Sequence, residues 1–346
     1  MKWYLPVIFI FLLFIILGCS PKQEHAKGKP YHHLKKGFRN PPGSIKSNGF
    51  SLDFLWFLIK RPLVNPNISK GHKLDDKVAI KQFYDHQNKD SITWIGHMTA
   101  IIRLDKKVIA IDPWFTSWAV TIPPFGPRRV VKPGIKLKKL PQIDVVIISH
   151  NHQDHLDIST LEKLPNPEKI TIISPLGVSV HFKHIKFKEV IELDWHKSKI
   201  INKIEYRALP VVHTSRRTLF DGNKTLWAGF SIKSSNGKKI FFCEADYGET
   251  YKEIGKKYGP FDVALIAAGP YSPRVVHKGF HSVPEKSVQI GLDIRSKNLI
   301  PIHWGTVVMG TEKFMEPGPL FKKEALKKGF AEKNIWIMKI GETRSF

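Results

Sequence analysis

The chain has 346 residues, of which 42% are hydrophobic, 11% aromatic and 25% charged, a balance that argues against disorder and allows a large buried core. Its formal net charge of +25 either serves solubility alone or favours polyanionic neighbours: nucleic acid, anionic headgroups or phosphorylated compounds. Two cysteines, Cys19 and Cys243, are too few for a disulfide framework.

The N-terminus reads MKWYLPVIFIFLLFIILGCS. Lys2 is a short basic region, and Leu5 to Leu17 is an apolar run too short to span a bilayer comfortably. Ile16-Leu17-Gly18-Cys19 resembles a bacterial lipobox. That resemblance implies a signal peptide over residues 1–19, a lipid on Cys19, and export to the bacterial cell envelope, facing the periplasm if the cell is Gram-negative. An uncleaved signal anchor is the other reading. Residues 20–48 are rich in Lys, Gly and Pro without an apolar period, which predicts a flexible basic tether lying against anionic headgroups. FSLDFLWFLIKRP, Phe50 to Pro62, predicts a short apolar helix ended by Pro62; it either packs on the domain or dips into a lipid interface.

From about Ser91 short strands alternate with turns. SITWIGHMTAIIRLDKKVIAIDPW predicts strand, tight turn at Asp105-Lys106-Lys107, strand, and IDVVIIS predicts a buried strand. ITIISP, IEYRALPVV, FDVALIAAG and NLIPIHWG read in the same way. Asn236-Gly237 in SSNGKK marks a hairpin. Helical patterns fall over Ile158–Leu164, Tyr251–Tyr258, Pro284–Arg295 and Phe321–Lys328. The mixture predicts an α/β fold of two sheets with outer helices.

HNHQDHLD, beginning at His150, follows the apolar DVVII and so sits at the carboxyl end of a buried strand, where α/β folds place ligands. His150 and His152 are two apart and can point the same way, and Asp154 and His155 follow at once. Imidazole and carboxylate donors suit zinc and similar divalent ions. His213, Asp246 and His303 each end another strand-like run, so the same pattern recurs away from the first motif.

The set His150, His152, Asp154, His155, His213, Asp246 and His303 resembles the ligand set of the metallo-β-lactamase fold. The resemblance implies an αβ/βα four-layer sandwich of two mixed sheets over residues 49–346, with two divalent ions, Zn2+ by expectation. His150, His152 and His213 would hold one ion, Asp154, His155 and His303 the other, and Asp246 would bridge. The chain is closer still to the N-acylphosphatidylethanolamine-hydrolysing phospholipase D family. YHHLKKGFRN, WIGHMTAIIRLDKKVIAIDPWF, GPRRVVKPG, VIELDW, TSRRTLFDGNKTLWAGF, PYSPR and IHWGT resemble that family in order, from about Tyr31 to the end. It departs from the family at Ala245 and Tyr247, which flank Asp246 where Gly-Asp-Thr is usual. It departs also at Val212 and Thr214 around His213, and at Phe280 beside His281.

By this resemblance the chain is a dinuclear phosphodiesterase that cleaves N-acylphosphatidylethanolamine to phosphatidate and N-acylethanolamine by attack of metal-bound hydroxide. Asp154 and Asp246 would orient the hydroxide, and His281 would donate a proton to a phosphoryl oxygen or the leaving group. His97 is read as structural, and Arg216 and Arg217 either receive phosphate or form a solvated turn. A lactonase or nuclease on the same fold, or a non-catalytic lipid-binding envelope lipoprotein, are the alternatives. Partners expected are a phospholipid substrate and a membrane, with no nucleic acid.

Overall fold

The structure is a computed structural model that describes residues 24–46, 51–120, 126–218 and 220–346. The expected signal peptide and Cys19 lie outside the described residues. Near the start, β1 (His33–Leu34) and β2 (Gly37–Phe38) pair antiparallel. Within the described residues 24–46, this hairpin corrects the expectation of a free tether over residues 20–48. The Phe38 amide donates to the Asn223 carbonyl at 2.8 Å, and Asn40 Oδ1 accepts from the His213 amide at 2.9 Å. Such anchors span more than 150 residues of sequence, and local composition does not reveal them.

Helix α1 (Leu52–Lys60) begins at Ser51, whose Oγ accepts from the Phe54 amide at 3.3 Å. It rests on the domain through Phe57, while Leu52, Trp56 and Ile59 are exposed. Helix α2 (Asp76–Asp85) follows and buries Ala79 and Phe83. The first sheet then forms from β3 (Ser91–Gly96), β4 (Thr99–Leu104), β5 (Lys107–Ile111) and β6 (Val145–Ile147). Asp105 and Lys106 both take positive φ, 50° and 62°, as the tight turn between β4 and β5 requires. Helix α3 (Ile158–Leu161), shorter than its apolar pattern suggested, leads to β7 (Thr171–Pro175) and β8 (Glu189–Leu193).

The second sheet takes β9 (Ser198–Ile201), β10 (Ile204–Leu209), β11 (Gly229–Lys233) and β12 (Lys239–Cys243) as an antiparallel run. Helix α4 (Thr250–Tyr258), β13 (Phe261–Ala267), α5 (Arg274–His277), α6 (Pro284–Asp293), β14 (Ser296–Ile302), α7 (Pro317–Lys327) and β15 (Thr343–Ser345) complete the chain. The sheet orders are β15-β3-β4-β5-β6-β7-β8 and β14-β13-β12-β11-β10-β9. Each sheet is mixed: β5 to β8 run parallel in one, and β12 to β14 in the other.

Strand alternation divides the apolar residues between two cores. Ala100, Ile102, Ile109, Ile111, Val145 and Ile147 face the second sheet and meet Phe230, Phe242 and Leu265. Their neighbours Ile101, Val108, Ala110 and Val146 face outward onto Ala79 and Phe83 of α2. Helices α6 and α7 cover the other side of the second sheet through Val288, Ile290 and Phe321. The result is a four-layer α/β sandwich, the architecture that the resemblance implied.

His277, on α5, packs edge-on against Phe57 of α1, with ring centroids 5.3 Å apart. It is buried, and neither ring nitrogen makes a well-aligned hydrogen bond. Burial pushes its pKa down to about 2. The folded chain therefore refuses a proton that the unfolded chain accepts near pH 6.5, so stability present above that value is lost as pH falls. Denaturant unfolding at pH 7 and pH 5 should show His277→Leu gaining on the parent at the lower pH, by up to about 2 kcal/mol.

Candidate metal centre

The centre forms where strands end. Asp112 follows β5, the His150–His155 loop follows β6, Glu244 directly follows β12, and His303 directly follows β14. His97 sits in the turn between β3 and β4, and His213 lies beyond β10. His97, Asp112 and His303 all have positive φ, at 56°, 40° and 64°. Non-glycine residues hold that conformation only where the surroundings enforce it.

Three imidazoles are fixed in orientation by groups behind them. His155 Nδ1 donates to Asp112 Oδ2 at 2.8 Å, and His213 Nδ1 donates to the Phe280 carbonyl at 2.7 Å. The Ser149 hydroxyl donates to Asp112 Oδ2 at 2.6 Å, which leaves its oxygen to accept from His150 Nδ1 at 2.8 Å. Each Nδ1 carries a proton in this arrangement, so each Nε2 faces inward; on His150 and His213 it keeps a lone pair, whereas on His155 burial opposes the protonated form but Glu244, Asp154 and Asp112 favour it. His150 Nε2 then lies 2.7 Å from His152 Nδ1 and 3.1 Å from His213 Nε2. Ring nitrogens so close, with lone pairs converging, have the arrangement of donors around a cation.

A second group adjoins the first. Asp154 Oδ2 accepts from His97 Nε2 at 2.7 Å and lies 3.4 Å from His155 Nε2 and 3.6 Å from His303 Nε2. Glu244 stands between the groups. Its Oε2 is 2.6 Å from His155 Nε2, 3.7 Å from His150 Nε2 and 3.8 Å from His213 Nε2. Its Oε1 is 2.9 Å from His303 Nε2 and 3.0 Å from His281 Nδ1. Yet His155 Nε2, His303 Nε2, His281 Nδ1 and Glu244 Oε2 are buried without a hydrogen bond of acceptable geometry. Short separations without alignment mean that these atoms aim at common points between them. The donor set thus fits divalent cations, with His150, His152 and His213 around one point and Asp154, His155 and His303 around another.

Electrostatics agree with this fit. Burial holds His150 and His213 well below the ordinary imidazole value and pushes His152 down to about 4, so all three keep free lone pairs. Burial opposes charge on Asp154 and Glu244 as well. The surrounding imidazoles, His155 foremost, outweigh it and hold both carboxyls well below their usual range. Burial also opposes charge on His303, but Glu244 and Asp154 push it up to about 9. Protons and cations therefore compete for the same lone pairs.

Among the residues singled out in the sequence, His150, His152, Asp154, His155, His213 and His303 come together, with His281 beside them. Asp246 does not. Its Oδ2 pairs with the Arg274 guanidinium and accepts from the Gly279 amide at 2.7 Å, and its Oδ1 accepts from the Tyr247 amide at 2.8 Å. Arg274 also donates to the His281 carbonyl. Asp246 thus organises the loop that carries His281, and the carboxylate that stands between the two groups, where Asp246 was expected, is Glu244. Both follow β12 and share its parity, but Glu244 comes first and its longer side chain reaches between the histidines. That carboxylate at the strand end, two residues before the expected one, was the available sequence signal. Arg217 is also reassigned. Its Nη1 donates to the carbonyls of Asn151 at 3.0 Å and Leu156 at 2.7 Å, bracing the histidine loop from behind. Arg216 is exposed.

Residues 107–304 match the model of the Beta-lactamase superfamily domain. An uncharacterized protein of Mycobacterium tuberculosis is 31% identical over 261 residues, which cover 74% of this chain and 66% of that protein. This chain thus spans a little under two thirds of that relative's length. The N-acyl-phosphatidylethanolamine-hydrolyzing phospholipase D 1 of Caenorhabditis elegans is 34% identical over 316 residues, covering 83% of this chain and 86% of the relative. In structure, Igni18, a metallo hydrolase from the archaeon Ignicoccus hospitalis, superposes with a TM-score of 0.56 at 20% identity, covering 75% of this chain and 98% of its own. Elemental analysis of purified variants separates the two carboxylates after β12. Glu244→Ala should lower metal content, whereas Asp246→Asn should retain it and loosen the His281 loop instead.

Proposed function

This chain belongs to the beta-lactamase superfamily and to the family of the N-acyl-phosphatidylethanolamine-hydrolyzing phospholipases D, and from that premise we propose that it is a phosphodiesterase acting on N-acylphosphatidylethanolamine. The products are phosphatidate and N-acylethanolamine. The observation that carries this reading is the C. elegans relative, matched over 86% of its length at 34% identity.

In this reading the centre would take two divalent ions, zinc by preference for nitrogen and oxygen donors. His150, His152 and His213 would hold one, Asp154, His155 and His303 the other, and Glu244 stands within reach of both groups. Bound there, such ions supply a water of lowered pKa and neutralise charge on phosphoryl oxygens. The protein's own groups do the rest. Asp112, Ser149 and the Phe280 carbonyl fix which ring nitrogens face the ions. His97 holds Asp154 through its Oδ2, the oxygen that also faces His155 and His303. His281, fixed through its carbonyl by Arg274, would donate a proton to a phosphoryl or leaving oxygen. A lipid anchor on Cys19 in the cell envelope would bring the centre to its substrate.

Two experiments test the proposal. Zinc-loaded protein incubated with vesicles of N-acylphosphatidylethanolamine should release phosphatidate and N-acylethanolamine in equal amounts by mass spectrometry. His213→Ala should slow release by more than the ~10–100-fold typical of losing an outer partner. Diacylglycerol with a phosphorylated N-acylethanolamine, or unchanged lipid, would reject it. Labelled fatty acid should enter the parent in a bacterial host and be lost in Cys19→Ser; persistent label would remove the anchor from the proposal.

A further inference from the structure

Two motifs outside the centre meet in space. YHHLKKGFRN contributes His32 and His33, and VIELDW contributes Asp194. His32 Nε2 lies 2.6 Å from Asp194 Oδ1, and His33 Nε2 lies 2.8 Å from Asp194 Oδ2. We propose that His32, His33 and Asp194 form a further divalent metal site of the zinc type, one that clasps the N-terminal hairpin to the connection just after β8, the edge strand of the first sheet.

Four observations support it. The donors are two imidazole nitrogens and a carboxylate, with one ligand atom from each all within 4.8 Å of one another. Consecutive residues of an extended chain point to opposite sides, yet both rings here turn onto one carboxylate, with centroids 4.5 Å apart. The surroundings are apolar on one side: Trp195 stacks on His32 at 4.2 Å and Phe38 meets His33 edge-on at 5.1 Å. On the other side the His33 and Asp194 side chains keep 16% and 19% of their exposure, which admits water as a fourth ligand.

The hairpin has reason to need a staple. Its strands are two residues each and have no core of their own. It lies so close to the loop beneath that a Cβ on Gly37, whose φ is +99°, would meet the Asn223 carbonyl at 2.2 Å. Just beyond β2, Asn40 Oδ1 accepts from the His213 amide at 2.9 Å and from Trp227 Nε1 at 3.1 Å. Trp227 in turn accepts at its carbonyl from Trp195 Nε1 at 2.7 Å. The clasp therefore holds the strap that supports His213.

The competing account is a carboxylate that merely accepts hydrogen bonds from two neutral imidazoles. Zinc titration of metal-stripped full-length protein, read by elemental analysis after dialysis, distinguishes the two. The parent should retain one equivalent more than His33→Gln, because glutamine still donates to Asp194 but is a poor zinc ligand. Equal zinc in the parent and a folded His33→Gln would overturn the metal site and leave the hydrogen-bonded clasp. Should His33→Gln not fold, the parent alone decides: three equivalents per chain are expected, and saturation at two overturns the proposal.

Discussion

The imidazoles of His150, His155, His213 and His303, all buried, and of half-buried His152 converge with the buried carboxylates of Asp154 and Glu244. Burying an ionised carboxylate costs on the order of several kcal/mol even after relaxation. The surrounding imidazoles offset it for Asp154 and Glu244, yet several of the short contacts lack the alignment a hydrogen bond needs. A cation between them would satisfy those atoms. The fold can be understood as the frame that keeps these lone pairs aimed at one another despite their mutual repulsion.

Two mixed sheets suit that task. Strand ends are rigid, and the strands bearing Asp112, the histidine loop, Glu244 and His303 bring them to one edge of the sandwich. Behind the inward-facing atoms stands a layer of supporting partners. Asp112 accepts from the Ser149 amide, the Ser149 hydroxyl and His155, and so ties two strand ends to one imidazole. Arg217 braces the histidine loop, Asn40 braces His213, and the Asp246–Arg274 pair braces the loop of His281. Loss of any brace would be felt through geometry and not through a missing ligand.

Much of this was legible in the sequence, and for identifiable reasons. His150 to His155 are neighbours in the chain, so their crowding shows without a fold. His213 and His303 show because each interrupts an apolar run. The carboxylate after β12 was misread because two candidates of the same parity stand two residues apart, and the choice depends on Arg274, nearly thirty residues on. The N-terminal hairpin was misread because its lysines and glycines dominate its composition, while its order comes from Asp194 and Asn223, far along the chain. Arg217 was misread because its sequence neighbourhood is a turn and its partners are backbone carbonyls of another loop. Local periodicity carries no record of contacts like these.

Asp112 has a consequence for how the centre fills. Its contacts, and those of Ser149 and Phe280, orient three imidazoles through protein groups alone. The entropy of ordering those rings is therefore met when the sheets assemble, unlike in a zinc finger, where ion capture and chain collapse are one event. Loading becomes a separate, later step. A pre-shaped cluster of nitrogen and oxygen donors would choose among first-row ions by its ligand types, its geometry and the supply it meets. Where the first two admit several ions, the compartment in which the finished molecule first encounters free metal would decide the third, and the same polypeptide made in two different places would carry two different cargoes.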